Sequence, residues 1–231
     1  MLLALDTATE HIRLALIDGE RAWPRTVRGE RGRSHSLVLL PALDRLMTEA
    51  GASKADLSGV VCCVGPGGFT GLRTGVATAE GLGLTGLPTW GFSSFALWAE
   101  AIGSSGSPGP FWILLDGQRS EVFAQRWEDG APGKALREPL TALPAELGTE
   151  PWWAPETFLP RLLEVLPGGR ILLADDIGAG EAALVVLAKR LSLGPPESPL
   201  VPFYLRETDA EANFPAASVH LPESHRRGQA R

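Results

Sequence analysis

The chain has 231 residues, of which 44% are hydrophobic and 21% charged, a balance typical of a soluble globular protein with one large domain or two small ones. Its net charge of −6 at pH 7 argues against this chain alone being the main clamp on a nucleic acid. No apolar run reaches the roughly 18 residues of a membrane span. The opening segment MLLALDTATE lacks the basic start of a signal peptide, so we expect a cytoplasmic protein.

The first 30 residues predict three antiparallel strands. Leu2–Leu5 is an apolar run that ends at Asp6, and residues 12–16 alternate apolar side chains with Arg13 and Ala15. Asp18-Gly19 is a hairpin signal, after which residues 22–27 return as the third strand. An acid at the end of the first strand suggests a ribonuclease-H-like sheet.

A helix is predicted from Ser34 or Ser36 to about Ala50, with Gly51 as its stop. It carries more apolar residues than one stripe requires, and the surplus suggests a second buried surface, against a partner. Pro41 should bend or delay the helix, because proline removes a helical hydrogen bond.

Residues 60–86 predict a buried strand, a glycine turn at residues 65–68 and a helix that Thr70 caps. Glycines inside the helix each cost about 1 kcal/mol against alanine, so we expect compensating close packing against another helix or another subunit. They are Gly71, Gly75, Gly81 and Gly83. Phosphate binding at the turn is the alternative, although neither the Walker pattern nor the dinucleotide fingerprint is present.

The segment GSSGSPGP at residues 103–110 is the clearest boundary, and the opening pattern returns after it. Phe111–Asp116 repeats the first strand with its terminal acid, which indicates two related lobes. We predict a first lobe at 1–103, a second, reduced lobe at 110–204, a segment of about 205–220 that can pack back on the first lobe, and a disordered tail at 221–231. The second lobe should hold a strand at 152–153, a helix at 155–166, a strand at 171–174 and a helix at 181–191.

Candidate catalytic groups are sparse. The four histidines form no metal-binding spacing, and the adjacent Cys62 and Cys63 fit two small core residues in a reducing compartment. Asp6 could hold Mg²⁺ beside a phosphate, or simply accept hydrogen bonds in its turn. Asp175-Asp176 could be a metal pair, although capping the next helix is the simpler interpretation.

Five motifs form one ordered pattern. They are Asp6-Thr7-Ala8-Thr9, His35-Ser36 before Leu39-Leu40-Pro41, the block GPGGFTGLRTGV at residues 65–76, Asp116 with Arg119 and Glu121, and Tyr204-Leu205-Arg206. Together they resemble the bacterial TsaB (YeaZ) family, from residue 1 to about residue 215. The glycine block is the most specific of them, whereas the second lobe matches only at its hairpin and at Tyr204–Arg206.

The resemblance implies an α/β ASKHA (actin/Hsp70/sugar-kinase-like) fold of two ribonuclease-H-like lobes. It also implies a role in forming threonylcarbamoyladenosine next to the anticodon of tRNA. In that family TsaB is the non-catalytic scaffold that pairs with its paralogue TsaD, the threonylcarbamoyl transferase, and the ATPase TsaE joins the pair. We therefore expect no catalytic residue and no cofactor, contact with tRNA only through the complex, and a homodimer when TsaD is absent.

The family's pairing surface is formed by the first two helices of the first lobe, here at about 34–50 and 70–86. Both helices stood out for surplus apolar surface or surplus glycine. The predicted partner-interface residues are Leu37, Leu40, Met47, Leu72, Arg73, Val76 and Ala79. TsaD-like sequences carry a metal-binding H-x-x-x-H pair whose positions fall here at Ser94 and Trp98, so we expect no metal.

Two other functions remain open from the sequence. One is an ASKHA-type ATPase or phosphotransferase with its own nucleotide site in a degenerate cleft. The residues of that cleft would be Asp6, Thr7, Thr9, Gly65, Gly67 and Asp116. The other is direct tRNA binding through the arginine cluster at 25–33 and the arginines of the tail.

Overall fold

The computed structural model describes residues 1–28, 35–104, 109–167 and 176–206, without the side chains of Arg28, Pro144 and Asp176. Three predicted features lie wholly or in part outside this description: the strand at 171–174, the possible metal pair Asp175-Asp176 and the tail at 221–231. The whole loop at 29–33 and most of the segment 205–220 lie outside it too. Among the described residues, no helix has the length and apolar character needed to cross a membrane.

The first sheet has five strands, and three antiparallel ones open the chain as predicted. The strands are β1 Leu2–Asp6, β2 His11–Asp18, β3 Arg21–Arg28, β4 Gly59–Gly65 and β5 Thr89–Ser93. Their order in the sheet is β3-β2-β1-β4-β5. β4 runs parallel to both of its neighbours, β1 and β5, whereas β2 runs antiparallel to both of its neighbours, β1 and β3. Burial on both faces explains why β4 is apolar throughout its centre.

Two helices, α1 His35–Ala50 and α2 Phe69–Gly83, cover one face of this sheet. Alternate strand residues such as Leu3, Leu5 and Val60 pack beneath them. α1 begins six residues before Pro41 and continues through it. Thr70 is not the cap of α2, because Gly68 occupies the N-cap position and the helix starts without a side-chain cap.

The second sheet repeats the first in shortened form. Its strands are β6 Phe111–Asp116, β7 Glu121–Glu128, β8 Ala131–Pro139 and β9 Trp152–Trp153, in the order β8-β7-β6-β9. Helices α4 Leu143–Leu147 and α5 Leu159–Val165 lie on its outer side. The repeated order confirms the predicted two-lobed duplication. Strand β8 and helix α4 were missed, because prolines obscure the alternation in that stretch.

Helices α3 Ser94–Ser104 and α6 Asp176–Leu191 lie between the two sheets. The buried stripe of α6 contains Ala183, Leu184 and Leu187, which pack in one cluster with side chains from both lobes. Helix α6 therefore belongs to the core that joins the lobes, and the predicted division at 1–103 and 110–204 stays a prediction.

A stack of side chains crosses this central core. The ring of Trp98 in α3 stacks on Trp153 of β9 with centroids 3.9 Å apart. The Arg13 guanidinium lies 4.7 Å over the Trp98 ring, and its Nη1 atom is 3.2 Å from Oδ2 of Asp6. Gly180 of α6 is tightly packed here, because a Cβ atom at that position would lie 2.7 Å from Nε of Arg13. The stack and the residues packed on it thus connect five elements of the two lobes, β1, β2, α3, β9 and α6.

The chain after α6 returns to the first lobe. The amide of Glu197 donates to the Thr89 carbonyl at 2.7 Å, and the amide of Phe203 donates to the Val64 carbonyl at 2.7 Å. The amide of Leu200 donates to the carboxylate of Glu80 in α2. Residues that were predicted to end the second lobe therefore cover the edge of the first sheet.

The glycines of α2 divide into two groups by their surroundings. A Cβ atom on Gly71 or Gly75 would lie well under 3.0 Å from the carbonyl oxygen or the hydroxyl oxygen of Thr7, closer than real Cβ atoms approach. Close packing therefore does explain these two glycines, although it is packing on the end of β1 and not on a partner. Gly81 has nothing within 4 Å of its Cβ position.

Replacing Trp153 by alanine should lower the free energy of unfolding by about 3–5 kcal/mol, because a fully buried aromatic ring and its stacking partner lose contact. Urea denaturation followed by circular dichroism measures the change. Trp23, which is only partly buried, provides the control, and Trp23→Ala should lower the free energy of unfolding much less. Equal costs for the two variants would contradict a core centred on the stack.

The two groups of glycines predict opposite effects of alanine. Gly75→Ala should destabilise the protein by about 1–3 kcal/mol through overpacking against Thr7. Gly81→Ala in the same helix should stabilise it by up to about 1 kcal/mol through helix propensity. Thermal denaturation of both variants gives the sign of each stability change. A Gly75→Ala variant as stable as the native chain would refute the close approach of Gly75 to Thr7.

Candidate functional site

The glycine turn before α2 closes against the end of β1. The amide of Gly68 donates to the carbonyl of Ala8 at 2.7 Å, and a Cβ atom on Gly67 would lie well under 3.0 Å from the same oxygen. Gly65 is buried against the carbonyl of Phe203 and the side chain of Leu72. The chain's own carbonyl oxygen thus occupies the place where a phosphate would have to accept hydrogen bonds.

Asp6 and Thr7 face the protein interior and not the cleft. The Asp6 carboxylate accepts hydrogen bonds from the amide of Ala8 at 2.9 Å and from Arg13 at 3.2 Å. The hydroxyl of Thr7 donates to the carbonyl of Gly71 at 2.8 Å. Both side chains are fully buried. The turn interpretation of Asp6 is therefore the one that its hydrogen bonds support.

A cleft of about 980 Å³ lies between the lobes, beside the glycine turn. Thr9, His35 and Asp116 line it. A ring nitrogen of His35 lies 2.8 Å from the carbonyl oxygen of Thr9, so the histidine ties the start of α1 to the first turn. The Asp116 carboxylate accepts from the Gln118 amide at 2.8 Å and from Arg161 at 3.1 Å.

Asp116 therefore repeats the role of Asp6. Each acid ends the first strand of its lobe, accepts from the amide two residues later and pairs with an arginine. Of the six residues predicted for the degenerate cleft, the structure brings only Thr9, Gly67 and Asp116 to the cleft wall. Whether a nucleotide binds there stays a prediction.

The side chains of Ser94 and Trp98 are both packed in the protein interior. The Ser94 hydroxyl donates to the Pro66 carbonyl at 2.7 Å and lies 3.2 Å from the sulfur of Cys63. Burial raises the pKa of the Cys63 thiol well above its usual range, which leaves it protonated and a poor metal ligand. Across residues 1–28, 35–104, 109–167 and 176–206, no group of three or more histidine, cysteine or acidic side chains is placed to hold a metal ion.

The outer face of α1 and α2 is the surface formed by Leu37, Leu40, Arg73, Ala77 and Gly81. Both helices pack on the same side of the first sheet, so their opposite sides point outward together. Leu37 is 69% exposed and Leu40 is 57% exposed, and the two lie three residues apart on one side of α1. The surplus apolar residues of α1 are thus exposed, as a partner surface would require.

The other predicted interface residues lie inside the protomer. Leu72 and Ala79 are completely buried, and Met47 and Val76 are nearly so. Met47, Val76 and Ala79 pack in the cluster between these helices and the first sheet, and Leu72 packs in the central core. A buried side chain has no surface to offer a partner, so the structure narrows the predicted interface to Leu37, Leu40 and Arg73. The interface itself stays a prediction.

Sequence reasoning missed two arginines that organise the site. Arg13 alternates with apolar residues in β2, and no role was predicted for it, yet it is buried opposite Asp6 in the strand register. Arg161 pairs with Asp116 from α5, far along the chain. The sequence did contain one sign of these arginines, the acid at the end of the first strand of each lobe. An acid at the end of a buried strand needs a charged or hydrogen-bonding partner.

Known proteins share this architecture. Residues 29–139 match the family described as TsaD: tRNA N6-adenosine threonylcarbamoyltransferase. An uncharacterized protein of Mycobacterium tuberculosis is 32% identical over 220 residues, covering 90% of this chain and 93% of that protein. The tRNA threonylcarbamoyladenosine biosynthesis protein TsaB of Escherichia coli is 33% identical over 137 residues, 56% of this chain and 57% of that protein.

Among solved structures, YeaZ from Pseudomonas aeruginosa matches with a TM-score of 0.69 and 24% identity, covering 88% of this chain and 99% of that chain. Its likeness establishes the shared fold, and the two duplicated sheets agree with the α/β ASKHA architecture that the sequence predicted. The motifs, the relatives and the fold agree with one another, and this chain belongs to the TsaB (YeaZ) family.

Proposed function

We propose that this chain acts in the biosynthesis of threonylcarbamoyladenosine in tRNA, as a non-catalytic subunit that pairs with TsaD. The relatives from Escherichia coli and Haemophilus influenzae carry the name tRNA threonylcarbamoyladenosine biosynthesis protein TsaB, which supports the pathway. The match to a TsaD family description supports a shared ancestry with the proposed partner.

The observation that carries the pairing is the exposure of Leu37 and Leu40 on the outer face of α1 and α2. Exposure of leucine side chains to water is unfavourable, and a partner helix that covers them on binding removes this unfavourable free energy. Small residues on the α2 side, Ala77 and Gly81, would let a second backbone approach closely. A stable heterodimer of this kind buries about 1,600 Å² in total.

The non-catalytic assignment is supported by how the potential reacting groups are used. Asp6 is bound in a buried ion pair, and Ser94 and Trp98 pack in the core. A chain in this state would supply shape and surface to its partner and leave the transfer chemistry to it. The same outer face would pair two copies of this chain when TsaD is absent. Association with TsaE and cytoplasmic location remain predictions.

The proposed pairing predicts the effect of a buried charge. Leu40→Asp should abolish association with TsaD from the same organism, because the carboxylate would lose its water in the interface. Sedimentation velocity of the mixed proteins measures association. Leu193, 88% exposed and outside this face, supplies the matched control, and Leu193→Asp should leave association unchanged. A Leu37→Asp, Leu40→Asp double variant that still associates would remove this face as the contact.

The ATPase alternative makes a separate prediction. The native chain should hydrolyse no Mg-ATP in a phosphate-release assay, and Asp116→Asn should leave that result unchanged, because the proposed subunit needs no nucleotide turnover of its own. The variant breaks the ion pair with Arg161, so circular dichroism must first show that it folds. Mg-ATP turnover by the native chain that Asp116→Asn abolishes would establish the ATPase function instead.

A further inference from the structure

The motif Tyr204-Leu205-Arg206 is part of the pattern that this chain shares with its family, and the pairing proposed above gives it no role. It lies in the segment that returns to the first lobe after α6. Residues 203–206 run between the glycine turn of the first lobe and the hairpin that joins β6 to β7 in the second lobe. We call these four residues the strap.

One end of the strap is bound to the first lobe. The amide of Phe203 donates to the carbonyl of Val64 at 2.7 Å. The carbonyl oxygen of Phe203 lies so close to Gly65 that a Cβ atom there would be 2.7 Å away, closer than real Cβ atoms approach. The ring of Tyr204 packs on that of Phe69 in α2, with centroids 5.3 Å apart. Backbone and ring contacts thus fix this end to β4 and α2.

The other end of the strap is bound to the second lobe through Arg206. Its Nη1 atom donates to the carbonyl of Gly117 at 3.4 Å, and its Nε atom lies 3.6 Å from Oε2 of Glu121. The side chains of Arg206 and Glu121 are only 24% and 22% exposed, so water screens their attraction less than that of a surface pair. Between the two ends, Phe203 and Leu205 pack against the central core.

The central core is a second connection between the lobes. Its apolar cluster contains Val61 and Phe92 from the first sheet, and Ile113 and Phe123 from the second. All four side chains are buried. Separating the lobes would bring this apolar surface into water, which is unfavourable. A large apolar interface suppresses the relative motion that small or polar interfaces between domains allow.

The strap and the central core hold the lobes together at two separate places. With the core alone, the second lobe could still rotate about it and widen the cleft, as lobes do in hinge closure around ligands. The glycine turn and the β6–β7 hairpin both line the cleft, so such a rotation would move them apart. Because the strap is bound on both sides of this gap, opening the cleft would break its contacts with one of the lobes.

From these contacts we infer that the strap locks the two lobes at one separation, and that Arg206 is its attachment to the second lobe. The cleft then keeps a constant width and does not open and close around a ligand. An arginine suits the last position of the motif, because its long cationic side chain reaches both the carbonyl of Gly117 and the carboxylate of Glu121. The lock is a property of the isolated chain, so it does not depend on the pairing proposed above.

The separation of the lobes can be measured between two spin labels by double electron–electron resonance. Glu10→Cys and Thr157→Cys place one label on each side of the cleft, since both positions line it and both are exposed. Cys62 and Cys63 are completely buried, and burial raises the pKa of both thiols, so the labels react with the introduced cysteines. Doubly labelled chain is diluted with an excess of unlabelled chain, which removes distances between copies.

With the strap intact, the labelled chain should give one narrow distribution of distances between the two labels. Addition of Mg-ATP should leave this distribution unchanged, because a locked cleft does not close around a ligand. Two separated distances, or a distance that shortens with Mg-ATP, would show lobes that move about a hinge and would overturn the inference.

Variants of Arg206 test the strap itself, after circular dichroism has shown that each one folds. Arg206→Gln should broaden the distribution toward longer distances, because the ion pair with Glu121 is lost, and Arg206→Lys, which keeps the charge, should broaden it less. Arg21→Gln is the matched control, since Arg21 is an exposed arginine of the first lobe outside the strap, and it should reproduce the native distribution. An unchanged distribution in Arg206→Gln would overturn the inference. The measurements need no TsaD, so the Leu40→Asp experiment tests the pairing separately.

Discussion

A buried ion pair between Asp6 and Arg13 lies where the two lobes meet, and the rest of the molecule is arranged around it. The charges lie opposite each other in the register of β1 and β2, so the pair forms as the hairpin forms. Arg13 then stacks on Trp98, which stacks on Trp153 of the second lobe. Removing either charge would leave the other buried without a partner, a cost of several kcal/mol.

The same pair explains why the first strand carries an acid without exposing it to a ligand. In each lobe the acid fixes a turn through the amide two residues later and holds an arginine. In the first lobe the turn brings Ala8 against the glycine loop, and the loop closes. The residues that would otherwise cradle a phosphate are thus used for packing, while the exposed leucines Leu37 and Leu40 lie elsewhere, on α1.

Local sequence patterns predicted most of the elements, because alternation, glycine turns and helical stripes depend on near neighbours. The repeated strand-and-acid unit also predicted the second lobe. Which way each helix face points was harder to predict. Leu72 and Val76 form a stripe that fits a partner or a core equally well, and only the packing of the folded chain shows that both are buried. Pairing across long separations, as between Asp116 and Arg161, leaves no local signal.

We propose that this chain contributes a surface to threonylcarbamoyladenosine formation and carries out no transfer itself. The most direct measurement is a reconstituted reaction with TsaD, TsaE, the threonylcarbamoyl adenylate and unmodified tRNA, in which each protein is omitted in turn and the modified nucleoside is quantified by mass spectrometry. The account predicts that the product is lost when this chain is omitted and that this chain alone yields none. Product formed by this chain alone, or undiminished product in its absence, would contradict it.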